Sequence, residues 1–351
     1  MIGDDRLRAV FKILIIFLIM MLVGIYTDKA IDEKSNEPPA LPPVNSGQVD
    51  PDLPANVEPA PEEGVGALIG KPQEALVKKY GQPTRREPSA YGYTWWVYKS
   101  PEHYMLAGVE KSHVVTIFAK GELDTSPFSL GRSASEIFSS RYPETEIVAH
   151  ANNSYYRFEL SEEELNIRPL VPIGDFYAQL YIDQQTGILS GVRFMTADVL
   201  LKMKPYELVY EGILPEVPSL GRSAWVHIER GSEAQLADIS NFIREKEGLP
   251  ALFWTPALSS AAKSHSQDMF EANYFGHQSP RFGDVKQRLS KAGLTFEKVD
   301  EIINANYPDA PAAMEAWLNA PDERELLLND TFTSFGAGAY RTHFTQIFTG
   351  K

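Results

Sequence analysis

Apolar and polar positions change rhythm several times along this chain, and each change predicts a different kind of element. An unbroken apolar run of Ile, Leu, Met, Phe and Val extends from Ile13 to Tyr26, after Asp4, Asp5, Arg6, Arg8 and Lys12. Counted back to Ala9, with the Lys12 stem lying along apolar surface, it reaches about the length that spans a bilayer. Arg6, Arg8 and Lys12 on the short side place the N-terminus in the cytoplasm and the rest outside. No Ala-x-Ala site follows the run, so residues 1–27 are expected to stay as a signal anchor or transmembrane helix, with secretion after cleavage as the alternative. From 28 to 65 large apolar side chains almost vanish, while Pro38, Pro39, Pro42, Pro43, Pro51, Pro54, Pro59 and Pro61 accumulate. Such a stretch cannot bury a core and is expected to be a disordered tether.

Between 66 and 212 the rhythm becomes that of a strand-rich domain with an internal echo about sixty residues apart. The first copy opens with a helical stretch from Ile69 to Pro83, followed by strands Tyr93–Tyr98 and Val114–Phe118. The second opens at Leu130 and gives strands Tyr155–Phe158 and Phe176–Ile182, turning at Thr186 and Gly187. Two similar helix-plus-antiparallel-strand units usually bury their apolar faces against each other. Residues 213–232 read as a linker. From 233 to 351 helical spacing returns at Leu236, Ile239 and Ile243, then around Val285 and Leu289, and again at Met314, Trp317 and Leu318. Thr255 and Pro256 read as N-cap and first residue of a further helix bearing Leu258, Ala261, Ala262 and Met269. The fold class expected is α+β.

Composition narrows what these domains do. The 351 residues, 43% of them hydrophobic, suffice for two cores besides a tether. A net charge of −14 without clustered Lys or Arg excludes nucleic acid as a partner. It also disfavours adhesion to an anionic membrane or wall polymer unless divalent cations bridge the two. The chain has no cysteine, which removes thiol catalysis and disulfides and, for an extracytoplasmic protein, fits a Gram-positive bacterial surface. No Gly-x-Ser-x-Gly elbow occurs. Ser279 and His277 are two residues apart, a spacing at which helical side chains do not face each other.

Some residues carry chemistry or packing with equal ease. His265 falls on the apolar stripe of the Pro256 helix, where a histidine is usually a hydrogen-bonded part of the core. His343 lies in the final strand with similar standing. Glu323 sits in Asp322-Glu-Arg-Glu325, a charged first helical turn favoured by the helix dipole. Tyr91, Tyr93, Trp95, Trp96 and Tyr98 alternate as in ordinary sheet packing, although Trp95 and Trp96 must point to opposite faces and one of them could be exposed as a binding platform.

Five separated pieces then agree with one family. They are His265-Ser-Gln-Asp-Met269, Tyr274-Phe-Gly-His277-Gln-Ser-Pro280, Glu301, Trp317 through Arg324, and Phe344-Thr-Gln346. In this order they resemble the bacterial branch of the CAP superfamily, related to cysteine-rich secretory proteins, antigen 5 and pathogenesis-related proteins. The preceding repeated domain resembles the CAP-associated N-terminal domain of Bacillus-type proteins. The resemblance implies a C-terminal α-β-α sandwich with a cleft on one side of its sheet, where His277, Glu301, Glu323, Arg324 and His265 would gather. Where such domains usually read Gly-Glu-Asn-Ile, this chain has Asp300-Glu301-Ile302-Ile303; where they read Ser-Pro-Gly-His-Arg, it has Ala320-Pro321-Asp322-Glu323-Arg324.

A glutamate thus replaces the second histidine of the family's cleft. His277, Glu301 and Glu323 could still ligate a divalent metal ion, harder and more weakly held than at a two-histidine site. Three functions follow as expectations. The favoured one is a membrane-anchored surface module that binds a lipid, a peptidoglycan fragment or a surface protein. The second is a metal-assisted hydrolase of peptide or peptidoglycan with His277 and Glu301 as its catalytic pair. The third is a structural surface protein with a decayed pocket.

Overall fold

The computed structural model describes residues 44–45, 57–139, 143–151 and 154–350. The run Ile13–Tyr26 lies outside the described residues, and among these no helix is long and apolar enough to cross a membrane. In chain order the first part contains β1 (Val44–Asn45), α1 (Gln73–Tyr80), β2 (Arg85–Pro88), β3 (Thr94–Lys99), β4 (His103–Glu110) and β5 (His113–Gly121). Next come α2 (Ala134–Ile137), β6 (Glu146–Ala151), β7 (Ser154–Glu159), α3 (Glu162–Ile167), β8 (Leu170–Ile173), β9 (Phe176–Asp183), β10 (Ile188–Thr196), α4 (Ala197–Met203) and β11 (Glu207–Glu211). The rest is α5 (Arg222–Lys246), β12 (Phe253–Trp254), α6 (Pro256–Ala272), α7 (Val285–Lys291), β13 (Lys298–Asn304), α8 (Ala310–Asn319), α9 (Pro321–Leu327), β14 (Phe332–Tyr340) and β15 (His343–Gly350).

The sequence echo is a structural repeat. The backbone N–H of Gly70 donates to Val114 at 2.8 Å and that of Val114 to Lys71 at 2.9 Å, while Gly131 donates to Leu189 at 2.9 Å and Leu189 to Arg132 at 2.8 Å. Each unit thus fastens the stretch before its helix to the start of its last strand. Those last strands, β5 and β10, pair antiparallel at the centre of a seven-stranded sheet ordered β2-β3-β4-β5-β10-β9-β8. A smaller sheet, β1-β11-β7-β6, stands beside it.

Both faces of the large sheet are covered. Trp95 and Trp96 do point to opposite sides, yet they are 2% and 6% exposed, so neither forms a surface platform. Trp96 packs with Leu76, Phe128 and Ile182, whereas Trp95 joins a core that continues through Leu236 and Met314 to Ile302 and Phe348. That continuous core joins the two domains.

Two expected segments need correction. The end of the tether is part of the fold: Glu58 donates to Pro172, Gly174 donates back to Glu58, Val65 donates to Asp124, and the Val65 side chain is fully buried. Backbone pairing on a sheet edge holds residues that composition alone assigns to disorder. The expected 213–232 linker is half helical, because α5 begins at Arg222 and runs for 25 residues. Ile228 and Gly231 are buried there, and a side chain at Gly231 would meet the Cβ of Glu87 at 3.0 Å.

The C-terminal part is an α-β-α sandwich around the sheet β12-β14-β15-β13. Helices α6 and α7 cover one face and α5, α8 and α9 the other. Gly336 and Gly338 let α6 lie directly on β14: a Cβ at Gly338 would stand 1.9 Å from the backbone nitrogen of Lys263.

Candidate functional site

Strand alternation puts Val299 in the apolar cluster with Leu258, Ala262 and Leu289, on the α6 and α7 side of the sheet. Two residues on, Glu301 emerges on the same side. Its carboxylate is 2% exposed, in a layer otherwise closed by aliphatic side chains. Burying a charge there requires partners, and three elements supply them.

From α7, the Arg288 guanidinium forms an ion pair with Glu301 Oε2. From α6, His265 places Nδ1 3.3 Å from the same oxygen, with its ring fully buried. From the loop between these helices, His277 Nδ1 donates to Glu301 Oε1 at 3.3 Å. The loop is held in turn by Asp268, whose Oδ2 accepts from the hydroxyls of Tyr274 at 2.6 Å and Ser279 at 2.7 Å. Arg288 ties it down again by donating to the carbonyls of His277 at 2.8 Å and Gly283 at 2.9 Å.

Burial acts to raise the Glu301 pKa, but the close approach of the His265 ring, the hydrogen bond from His277 and the charge of Arg288 outweigh it and hold the acid far below the usual carboxylate range. The hydrogen bond to Glu301 raises the His277 pKa above its ordinary value against partial desolvation. The two ends of the pair differ sharply in exposure. The His277 side chain is 56% exposed while its carboxylate partner is sealed. Burial pushes His343, on β15, down to about 4, which keeps it neutral against Phe270.

The structure brings together His277, Glu301 and His265; of the other two expected pocket residues, Glu323 stays within electrostatic reach of His277, whereas Arg324 is turned to a different partner. Glu323 lies in the first turn of α9 and reaches His277 through its charge. Arg324 pairs with Asp183 of the N-terminal domain at 3.0 Å and donates to the Leu318 carbonyl, so it is a residue of the domain interface. The donor set does not fit a divalent metal ion. Both oxygens of Glu301 are taken, one by His277 and the other by Arg288 and His265. Arg288 also supplies the positive charge that a metal would bring. Among the described residues no three His, Asp or Glu side chains are placed to hold an ion.

Sequence reasoning passed over Arg288 and Asp268. Arg288 follows the capping box of Asp284 and Gln287 in a seven-residue helix, where it reads as a solvated basic residue. Asp268 stands three residues after His265, hence on the same helical face; that spacing is the signal that would have found it. Ser279 is spent on Asp268 and on the backbone N–H groups of Arg281 and Phe282, so it is not a nucleophile paired with His277.

Comparison with known proteins places this architecture. Residues 69–206 match the family model for the CAP-associated N-terminal domain, and residues 238–349 match that for the cysteine-rich secretory protein family. The Bacillus subtilis membrane protein YlbC is 40% identical over 294 residues, covering 82% of this chain and 84% of YlbC. A crystal structure of an extracellular protein containing an SCP domain from Bacillus anthracis aligns with a TM-score of 0.78 at 37% identity, over 87% of this chain and all of that one. A cysteine-rich secretory protein from Staphylococcus aureus aligns with a TM-score of 0.72 at 28% identity, over 84% of this chain and 95% of that one. The chain therefore belongs to the CAP family, as a CAP-associated N-terminal domain followed by a CAP domain of the cysteine-rich secretory protein type.

Proposed function

We propose that this protein is a membrane-anchored, extracytoplasmic binding module whose CAP domain recognises its ligand at His277. The location rests on the apolar run Ile13–Tyr26 together with two relatives, one named a membrane protein and the other an extracellular protein. The binding role rests on one observation: an imidazole 56% exposed whose Nδ1 is fixed at 3.3 Å on a sealed carboxylate. Such a ring leaves Nε2 to the solvent and favours its protonated, donating form. It suits an acceptor oxygen, such as a carboxylate of a peptidoglycan stem peptide.

A hydrolase is the second reading, because a carboxylate-oriented imidazole is also the arrangement of a general base. Ser279 is engaged with Asp268 and is not available to the ring, so such a base would have to act on water. One experiment separates the two. Full-length protein in detergent is incubated with soluble peptidoglycan fragments, and retained ligand and released product are measured together, with His277→Ala alongside. Retention without product, lost in the variant, supports the binding module. Product that disappears in the variant supports the hydrolase. If neither quantity changes in His277→Ala, the site plays no part in recognition.

A further inference from the structure

A cavity of about 490 Å³ opens between the two domains, and its lining includes none of the residues gathered at Glu301. One wall comes from β7, α3, β9 and β11; the other comes from Tyr307, Pro308 and α8. Neither domain forms it alone. Its volume lies within the range of pockets that enclose a small ligand or a few residues of a peptide.

The charge of this lining is one-sided. It contains Glu159, Glu163, Glu164, Glu207 and Glu315 against a single cation, Arg168. Three of the acids are matched. Glu315 takes Lys120 at 2.6 Å, Glu164 takes Arg168 at 2.7 Å, and Glu159 takes Arg157 at 2.6 Å. Glu163 and Glu207 have no hydrogen bond or ion pair from their side chains among the described residues.

The position of Glu207 adds a separate observation. It stands directly opposite Glu159 in the β11–β7 register, and Glu159 in turn stands opposite Glu146 on β6. Like charges in direct cross-strand register are destabilising. Arg157 relieves only part of the row, reaching Glu159 at 2.6 Å and Glu146 at 3.7 Å. Glu207 keeps its uncompensated charge at the edge of a cavity whose mixed lining includes apolar surface from Leu160, Ile167, Pro205, Ala312 and Ala316. A divalent ion is not the match, because no three acidic or histidine side chains among the described residues converge on one point. A lone amine would leave most of the volume and the apolar surface unused.

We infer that the interdomain cavity binds a short peptide with a basic side chain, whose cationic head is answered by Glu163 and Glu207 and whose stem lies along the apolar wall. The CAP-associated domain thereby acquires a task of its own, since it supplies both unpaired acids of this surface, the CAP domain's Glu315 being matched by Lys120. Lysine stems suit such a mixed lining because their methylenes cover apolar surface while the ammonium remains at the rim.

The test is titration of full-length protein in detergent micelles with a fluorescent Ala-Lys-Ala amide, its Nε-acetylated form, and cadaverine. Binding of the lysine peptide is expected to weaken about tenfold or more on acetylation and in Glu163→Gln/Glu207→Gln, as loss of charge-assisted contacts implies. Neither acid is paired in the fold and Glu207 stands opposite Glu159, so the double variant should fold and melt no lower than the parent by more than a few degrees. His277→Ala should bind the peptide unchanged, which separates this site from the one proposed above. Absence of peptide binding, equal binding of the acetylated form, or equal binding of cadaverine would overturn the inference. The acetylated peptide is compared on the parent protein, so the test stands even if the double variant misfolds.

Discussion

Lys120, from β5 of the N-terminal sheet, and Glu315, from α8 of the CAP domain, form an ion pair at 2.6 Å with side chains only 6% and 3% exposed. Ser190 completes it by donating to Glu315 Oε2 at 2.9 Å. Close by, Arg193 and Asp309 repeat the arrangement at 2.8 Å. Two buried pairs across one interface fix a single docking of the domains, because sliding either surface would leave charges unpaired in a low-dielectric layer.

Glu315→Met should therefore destabilise the protein by about 3–5 kcal/mol, the usual cost of breaking a buried pair from one side. Lys120→Met/Glu315→Met should recover most of that loss, since the interface then holds two apolar side chains and Ser190 keeps the Tyr181 carbonyl as an acceptor. Urea denaturation of the parent, the single and the double variant checks this. A double variant no more stable than the single one would mean that the pair contributes nothing beyond packing.

Glu301→Gln removes the charge on which three side chains converge. Arg288, 6% exposed, is then buried without its counterion, so a loss of about 3–5 kcal/mol is expected. The His277 pKa should fall, because its largest raising influence is the hydrogen bond to Glu301. The pH dependence has two opposite limbs. Glu301 is depressed in the folded state, so its contribution is complete above about pH 5 and is lost as pH falls. His277 is raised, so its contribution is complete below about pH 6.5 and disappears as pH rises through the folded value. An NMR titration of the histidine rings in parent and variant measures the first point. An unchanged His277 titration would show that the carboxylate does not control that ring.

How much of this was legible in the chain depends on whether a feature is local. His277 and Glu301 were found because their spacing within quoted motifs carried the family resemblance, and the Pro256 helix because proline and apolar periodicity both speak within one turn. Arg324 was misplaced because its partner, Asp183, lies in the other domain, and nothing near Arg324 in sequence records that contact. Trp95 and Trp96 were separable by strand alternation, but the cover on each face comes from elements far along the chain. Residues 57–65 illustrate the converse error: low apolar content hides an ordered segment when its partners are backbone groups of a sheet edge.

His343 gives a pH signature distinct from that of Glu301. It is 7% exposed, stands edge-on to Phe270 with ring centroids 5.5 Å apart, and burial holds its pKa at about 4. A histidine depressed on folding stabilises fully above the unfolded value, about 6.5, and loses that contribution as pH falls towards the folded one. The shift corresponds to roughly 3 kcal/mol, lost progressively between pH 6.5 and 4. His343→Phe should keep the aromatic contact and flatten stability across that window. Denaturation midpoints at pH 7, 6 and 5 measure it; equal slopes in parent and variant would assign the acid sensitivity to other groups.

Gly338 governs the site from the far face of α6. The contact between α6 and β14 is closer than side chains permit, and a methyl group at Gly338 would lie 1.9 Å from the nitrogen of Lys263 and 2.3 Å from the carbonyl carbon of Ala262. Both are backbone atoms of the helix that carries His265 and Asp268, so no rotamer change relieves the clash. Ser266 is also bound there, donating to the Gly338 carbonyl at 3.2 Å and to Thr345 at 2.9 Å. Gly338→Ala must push α6 away from the sheet, at a cost at or above the usual 1–3 kcal/mol of overpacking. Displacing α6 moves His265 off Glu301 and Asp268 off the loop that presents His277. The variant should therefore lower both the melting temperature and the His277 pKa, whereas Gly293→Ala, at a surface turn with open space around it, should strain only its own backbone and leave His277 unchanged. Parallel thermal melts and histidine titrations of the two variants decide whether helix placement and the His277–Glu301 pair are coupled in this way.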